Sequence, residues 1–229
     1  MSGPEPRRGR EHDAKGAREA ILNAAEEVFA QHGFAGARIA AIAKASGYNS
    51  SLIFQYFDDK LGLYAEVLKR ADREMSELQA RVLAPLLEDE TIASNAHTFK
   101  ALLETTVQTL FDYLLKHPRL MRILLWEQAE GWQTFAKIVS QMNTEDIEPF
   151  EMLFRKARSA GLLRSGFVPV IQLNMAMQIC LSHLAFLPLY QMLLPGEDVS
   201  SAAALARARE YIVAFVVAGM MIDPQETKP

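Results

Sequence analysis

The chain has 229 residues, half of them hydrophobic, enough to bury cores in one small and one larger domain. A formal net charge of -4 excludes a chain that binds polyanions through bulk positive charge, and a single cysteine, Cys180, excludes a disulfide framework. The polar N-terminal segment holds no apolar stretch of signal-peptide type, so a cytoplasmic setting is expected.

Charge is unevenly spread. Residues 1–62 carry eight Lys/Arg and eight Asp/Glu, and the rest carries 16 and 20, so the acidic excess lies downstream. Arg7, Arg8, Arg10, Lys15 and Arg18 form a loose basic arm, which would either track phosphates or stay a solvated tail. From Lys15 to His32, Ile21, Leu22, Ala25, Val28 and Phe29 recur at helical spacing, with Gly33 as the stop. A short helix is predicted from Arg38 to Ser46, with Ile39, Ile42 and Ala43 inward and Gly47 at its end. Asn49 would cap a third, through Phe57, in which Ile53 and Phe57 point inward. Lys60 opens a long helix whose stripe of Tyr64, Val67, Leu68, Ala71, Met75, Leu78 and Val82 runs to Pro85.

A polar linker over Glu88 to Asn95 follows. Beyond it helices are predicted at Thr98 to His117, Pro118 to Glu130, Gly131 to Met142, Thr144 to Ala160, Val168 to Leu194 and Ser200 to Ile222, with a break at Gly161 to Gly166. Strand signals are nearly absent, so the fold class is all-α. Ser165 to Gly196 contains no charged residue, but Gln172, Asn174, Gln178, Ser182, His183 and Gln191 are spread around the helix, which argues for a protein interior and against a membrane span.

Two short helices joined by a glycine-containing turn make a helix-turn-helix over residues 38–57. With Ile53 and Phe57 inward, Ser50, Ser51, Phe54, Gln55 and Tyr56 lie on or beside the outer face. Gln55 suits bidentate pairing with adenine, the serines suit bases or phosphates, and Tyr56 with Lys60 would hold the backbone. Short polar-faced helices are also common in any all-α protein, so spacing alone leaves both readings open.

The stretch AREAILNAAEEVFAQHGFAG, followed by IAAIAKASGYNSSLIFQYFDDKLGLY, resembles the N-terminal domain of the TetR/AcrR family of regulators over residues 17–64. The resemblance implies a three-helix DNA-binding domain over residues 15–75 and a helical effector-binding and dimerisation domain over 76–229. It places operator contacts on Phe54, Gln55 and Tyr56 and a phosphate contact on Lys60. The chain departs from the family at three points: Ala37-Arg38 stands for the usual Thr-Thr, Phe54 for tyrosine and Tyr56 for histidine. Arg38 loses a hydroxyl cap but brings a guanidinium for phosphate. The expected operator-binding set is therefore Arg38, Asn49, Ser50, Ser51, Phe54, Gln55, Tyr56 and Lys60.

A domain this small reads few base pairs, so two copies about 34–36 Å apart are expected on a palindromic operator of double-stranded DNA. The last two helices are the candidate homodimer surface, through Leu205, Ile212, Phe215, Val216, Gly219 and Met220, or else merely central core. The resemblance also implies a pocket for an unidentified small-molecule effector. Asn174, Gln178 and Ser182 at i, i+4, i+8 form a polar stripe, with Trp126, Trp132, His183 and Phe186 as further walls, although the stripe would equally suit the dimer interface. No histidine pairs with another metal ligand at helical spacing beyond Cys180 and His183 at i, i+3, and no nucleophile motif or phosphate loop is present. No enzyme activity, metal or cofactor is expected. The function expected is a ligand-responsive repressor; the alternatives are a helical protein-interaction module or an activator without a small-molecule effector.

Overall fold

The computed structural model describes residues 7–141, 147–164 and 168–222. Among the described residues ten α-helices follow one another: α1 (Arg7–Gly36), α2 (Ile39–Ser46), α3 (Ser50–Phe57), α4 (Lys60–Leu87), α5 (Ala96–Lys116), α6 (Pro118–Ala129), α7 (Phe135–Ile138), α8 (Ile147–Ser159), α9 (Pro169–Leu193) and α10 (Ala202–Met220). Among the described residues the β content is one isolated bridge, Leu163 to Met221.

Two compact units result. One combines the chain up to Arg73 with the segment from Pro118 that carries α6 and α7. The other combines Glu74–His117 with α8, α9 and α10. The sequence reading cut the chain once, between 75 and 76, and so assigned α6 and α7 to the second domain. Their place in the first unit comes from tertiary bonds: Tyr64 Oη on α4 donates to Glu127 at 2.6 Å, Trp126 Nε1 donates to the Ala30 carbonyl, and Arg119 pairs with Glu27.

In the first unit, Ile21, Leu22 and Phe29 of α1, Ile42 of α2, Ile53 and Phe57 of α3, and Leu63 and Tyr64 of α4 are buried together with Ile123 and Ile138. Ion pairs fasten α4 to α1: Arg18 binds Glu66, and Arg70 binds Glu26 and Glu19. α1 begins at Arg7, ahead of the predicted Lys15. The side chains of Arg7, Arg8 and Arg10 lie outside the described residues.

The predicted helix from Gly131 to Met142 is cut back to α7 and a 3-10 turn at Val139–Gln141. The reason is local. Gly131 and Trp132 adopt φ of 70° and 61°, and their N–H groups reach back to Gln128 and Glu127, closing α6 in a Schellman-type stop. The predicted boundary between Met142 and Thr144 lies outside the described residues.

In the second unit α5 packs on both α9 and α10, around buried Leu102, Leu103, Phe111, Cys180, Leu181 and Ile212. Arg209 of α10 grips Asp112 of α5 with both contacts from one nitrogen, at 2.7 and 3.0 Å. Burial pushes the Cys180 thiol up to about 12, which leaves it protonated at neutral pH. α9 carries apolar residues on every side and no Asp, Glu, Lys or Arg. One side buries Gln172, Ala176, Cys180 and Leu184, while Ile171, Met175, Phe186, Leu189, Met192 and Leu193 are exposed on the other.

Candidate nucleic-acid interface

The first unit positions α3 from both ends. At its start Asn49 Oδ1 accepts the Leu52 N–H at 2.9 Å, which satisfies one of the four N–H groups a helix leaves unpaired. At its end the chain reverses within two residues. Asp58 has φ 62°, its N–H returns to the Phe54 carbonyl at 2.8 Å, and the Asp59 N–H takes the Phe57 carbonyl at 2.7 Å. Asp59 Oδ1 then accepts the Gly62 N–H at 2.7 Å and caps α4. With Ile53 and Phe57 buried, this leaves Ser51, Phe54 and Gln55 exposed, Phe54 by 45%. Ser50 and Tyr56 are half-buried, Tyr56 lying edge-on to Phe57.

Arg38, the N-cap residue before α2, is extended and makes no side-chain cap, as the loss of a hydroxyl there implies. Its guanidinium side is exposed. Lys60, expected to reach phosphate, makes contacts within the unit: Nζ donates to the Ala37 carbonyl at 2.9 Å and sits 4.5 Å from the centroid of the Phe34 ring. Lys60 therefore pins Ala37, just before the cap of α2. Lys60→Met is expected to lower the stability of the unit by about 1–2 kcal/mol in chemical denaturation, from the lost charge-assisted bond and ring contact. A lysine that served phosphate alone would leave the denaturation midpoint unchanged.

Two exposed residues that sequence reasoning did not single out flank this surface: Lys44 in the last turn of α2, and Tyr48 in the turn that leads into α3. Their signal was present, since both fall on the non-apolar side of the period that places Ile42 and Ile53 inward.

The residues expected around an effector are not brought together. Trp126 lies in the first unit, where its indole covers Gly33 and donates to Ala30. Asn174 and Ser182 stand exposed on α9, and Gln178, half-buried, donates to Asn174 at 3.3 Å. The polar stripe therefore does not line an enclosed cavity of this chain, because α5 and α10 cover the opposite side of α9. His183 is half-buried between the rings of Phe111 and Tyr190, and burial lowers its pKa, which favours the neutral imidazole. A groove of about 90 Å³ does open between α9 and α10, lined by Met175, Ala176, Ile179, Phe215, Val216 and Gly219 among others. Of the residues expected at a dimer surface, Ile212, Val216 and Met220 are buried in the chain's own core, whereas Phe215 and Gly219 face out.

Comparison with known proteins fits this arrangement. Residues 21–67 match the family model described as "Bacterial regulatory proteins, tetR family". Residues 93–216, more than half of the chain, match the model described as "Tetracyclin repressor-like, C-terminal domain". The HTH-type transcriptional repressor SCO4008 of Streptomyces coelicolor is 34% identical over 118 residues, which cover 52% of this chain and 53% of that protein, so the match spans about half of the relative's length. Protein SCO4942 of the same organism superposes with a TM-score of 0.62 at 24% identity, covering 89% of this chain and 98% of that one. The regulator FadR of Bacillus subtilis, solved in complex with stearoyl-CoA, superposes with a TM-score of 0.57 at 16% identity, covering 88% and 98%. These two superpositions establish the fold.

Proposed function

The chain belongs to the tetR family of bacterial regulatory proteins, and from that premise we propose that it is a ligand-responsive transcriptional repressor that grips a palindromic operator as a homodimer. The observation that carries this reading is α3, an eight-residue helix locked at both ends that turns Ser51, Phe54 and Gln55 to solvent. A helix so presented fits a major groove, with Gln55 reading adenine and Arg38, Asn49, Ser50, Tyr56 and Lys44 holding the backbone. Lys60 supports that surface from beneath through Ala37. Residues 15–75 then read DNA with α6 and α7 built into the reading unit, and the remainder of 76–229 senses and dimerises. A DNA-binding regulator of this kind works in the cytoplasm and performs no catalysis.

Selection of genomic fragments by the purified protein at one fixed salt concentration tests this. One palindromic site is expected, lost by at least tenfold in affinity on Gln55→Ala or Tyr56→Ala. Binding that is salt-sensitive, blind to sequence and indifferent to both substitutions would remove the operator from the proposal.

The dimer is supported by the second unit. Tyr211 and Phe215 of α10 are 73% and 59% exposed, beside the outward apolar residues of α9. So much exposed apolar and aromatic surface, with no Asp, Glu, Lys or Arg on the α9 part of it, calls for a second copy. The effector we place in the second unit, where His183, Phe111 and Tyr190 group aromatic and hydrogen-bonding side chains; that the fold neighbour FadR from Bacillus subtilis was solved with stearoyl-CoA supports this reading.

A further inference from the structure

The outward side of α9 has an order along its length that bulk hydrophobicity does not explain. Ile171 and Met175 stand at one end, Phe186 and Leu189 toward the other, and between them Gln178 and Ser182 follow Asn174 at successive turns. We propose that Asn174, Gln178 and Ser182 form an uncharged polar seam in the face where two copies of this chain join, and that the seam fixes the register of the dimer. This rests on the homodimer proposed above.

The physical case has three steps. An apolar face alone pins register weakly, because burying area is non-directional and a slip of one helical turn, about 5.4 Å, exchanges one aliphatic neighbour for another. A buried amide is different. Out of register its donors and acceptors go unpaired at a cost of about 1–3 kcal/mol each, so a polar group amid apolar ones selects one alignment at some expense of strength. The bond from Gln178 to Asn174 is single and long, and it uses only part of what two amides offer.

The occupant follows from the same chemistry. In a two-fold interface each group meets copies of itself or its neighbours, and amides and hydroxyls both donate and accept, so the set Asn, Gln, Ser is self-complementary where a charge of one sign would repel its copy. No charged residue occurs from Ser165 to Gly196. The groove between α9 and α10, reached from Met175 on this same face, offers room for an apolar side chain of the second copy.

The test compares the wild type, a combined Asn174→Leu/Gln178→Leu/Ser182→Ala variant, and Phe215→Glu, by light scattering and sedimentation at micromolar concentration, with operator titration and circular dichroism. The seam residues are exposed or half-buried in the single chain, so helical content should not change. The wild type is expected as one dimeric species and Phe215→Glu as a monomer. The seam variant is expected to stay associated but spread over dimers and larger species, with operator affinity down at least tenfold. A seam variant that is one homogeneous dimer with wild-type operator affinity overturns the seam and leaves the dimer standing. A monomeric wild type, whether free or bound to phosphatidylcholine vesicles, overturns both.

Discussion

Gly62→Ala is expected to abolish operator binding, by at least a hundredfold, and to lower the stability of the first unit by about 3 kcal/mol. A Cβ on residue 62 would stand 2.2 Å from the carbonyl oxygen of Phe57 and 3.3 Å from its carbonyl carbon. Those are backbone atoms of the last residue of α3, so no rotamer change relieves the clash. The Phe57 carbonyl cannot swing away cheaply either, because it holds the Asp59 N–H at 2.7 Å. Opening the turn breaks that bond and the cap from Asp59 to Gly62, and it swings the exposed residues of α3 proposed to meet DNA. Thermal melts should drop by about 10–20 °C for a unit of this size. Gly36→Ala is the control: its Cβ meets only the His32 side chain at 3.4 Å, so stability and binding should both stay near wild type. If Gly62→Ala behaves like Gly36→Ala, the tight α3–α4 turn is not what aims the reading helix.

Local elements were legible because their causes are local. Asn49, Ile53 and Phe57 lie within nine positions of one another, and a cap plus an i, i+4 apolar pair specifies a short helix whatever surrounds it. The end of α6 was not legible in the same way, since Trp132 is a non-glycine residue at positive φ and only its bond back to Glu127 accounts for that. Lys60 shows a second limit. The motif it belongs to implies phosphate, but its carbonyl and ring partners lie 23 and 26 positions earlier in the chain, beyond any window of periodicity.

The polar stripe on α9 shows a third limit. Spacing of four correctly puts Asn174, Gln178 and Ser182 on one side of the helix. It does not say which side is inside when apolar residues stand on every side of the helix, as they do on α9. Packing of α5 and α10 on the side of Ala176, Cys180 and Leu184 decides the matter and turns the stripe outward. The same ambiguity split the predicted dimer residues of α10: Phe215 is outside, while Ile212, Val216 and Met220, which share its apolar character, are core.

Removing the carboxylate end of the bond between Tyr64 and Glu127 should cost the first unit more than the Gly62→Ala clash does, and removing the hydroxyl end somewhat less. Glu127 is 1% exposed; one oxygen accepts from Tyr64 Oη at 2.6 Å and the other from the Phe135 N–H at 3.0 Å, so one carboxylate ties α4 to the start of α7. Glu127→Ala orphans the buried Tyr64 hydroxyl and the half-buried Phe135 N–H and opens a cavity, for about 4 kcal/mol; Tyr64→Phe leaves a carboxylate short of one bond, for about 2 kcal/mol. In a double-mutant cycle the two losses should fall short of additivity by about 2 kcal/mol, and additivity within about 0.5 kcal/mol would mean that the bond contributes nothing. The pH profile has a definite sign. Burial, then the bond to Glu127, raises the Tyr64 phenol above its ordinary value near 10, so above that pH the unfolded chain releases a proton that the folded chain keeps. Stability from this group is complete below pH about 10 and falls beyond it, by at most about 1.4 kcal/mol per pH unit. The buried Cys180 thiol, pushed up to about 12, adds its own decline above pH about 9. The difference between wild type and Tyr64→Phe isolates the phenol: denaturation midpoints of the two should converge as pH rises past about 10, and parallel curves would show that Tyr64 ionises as freely folded as unfolded.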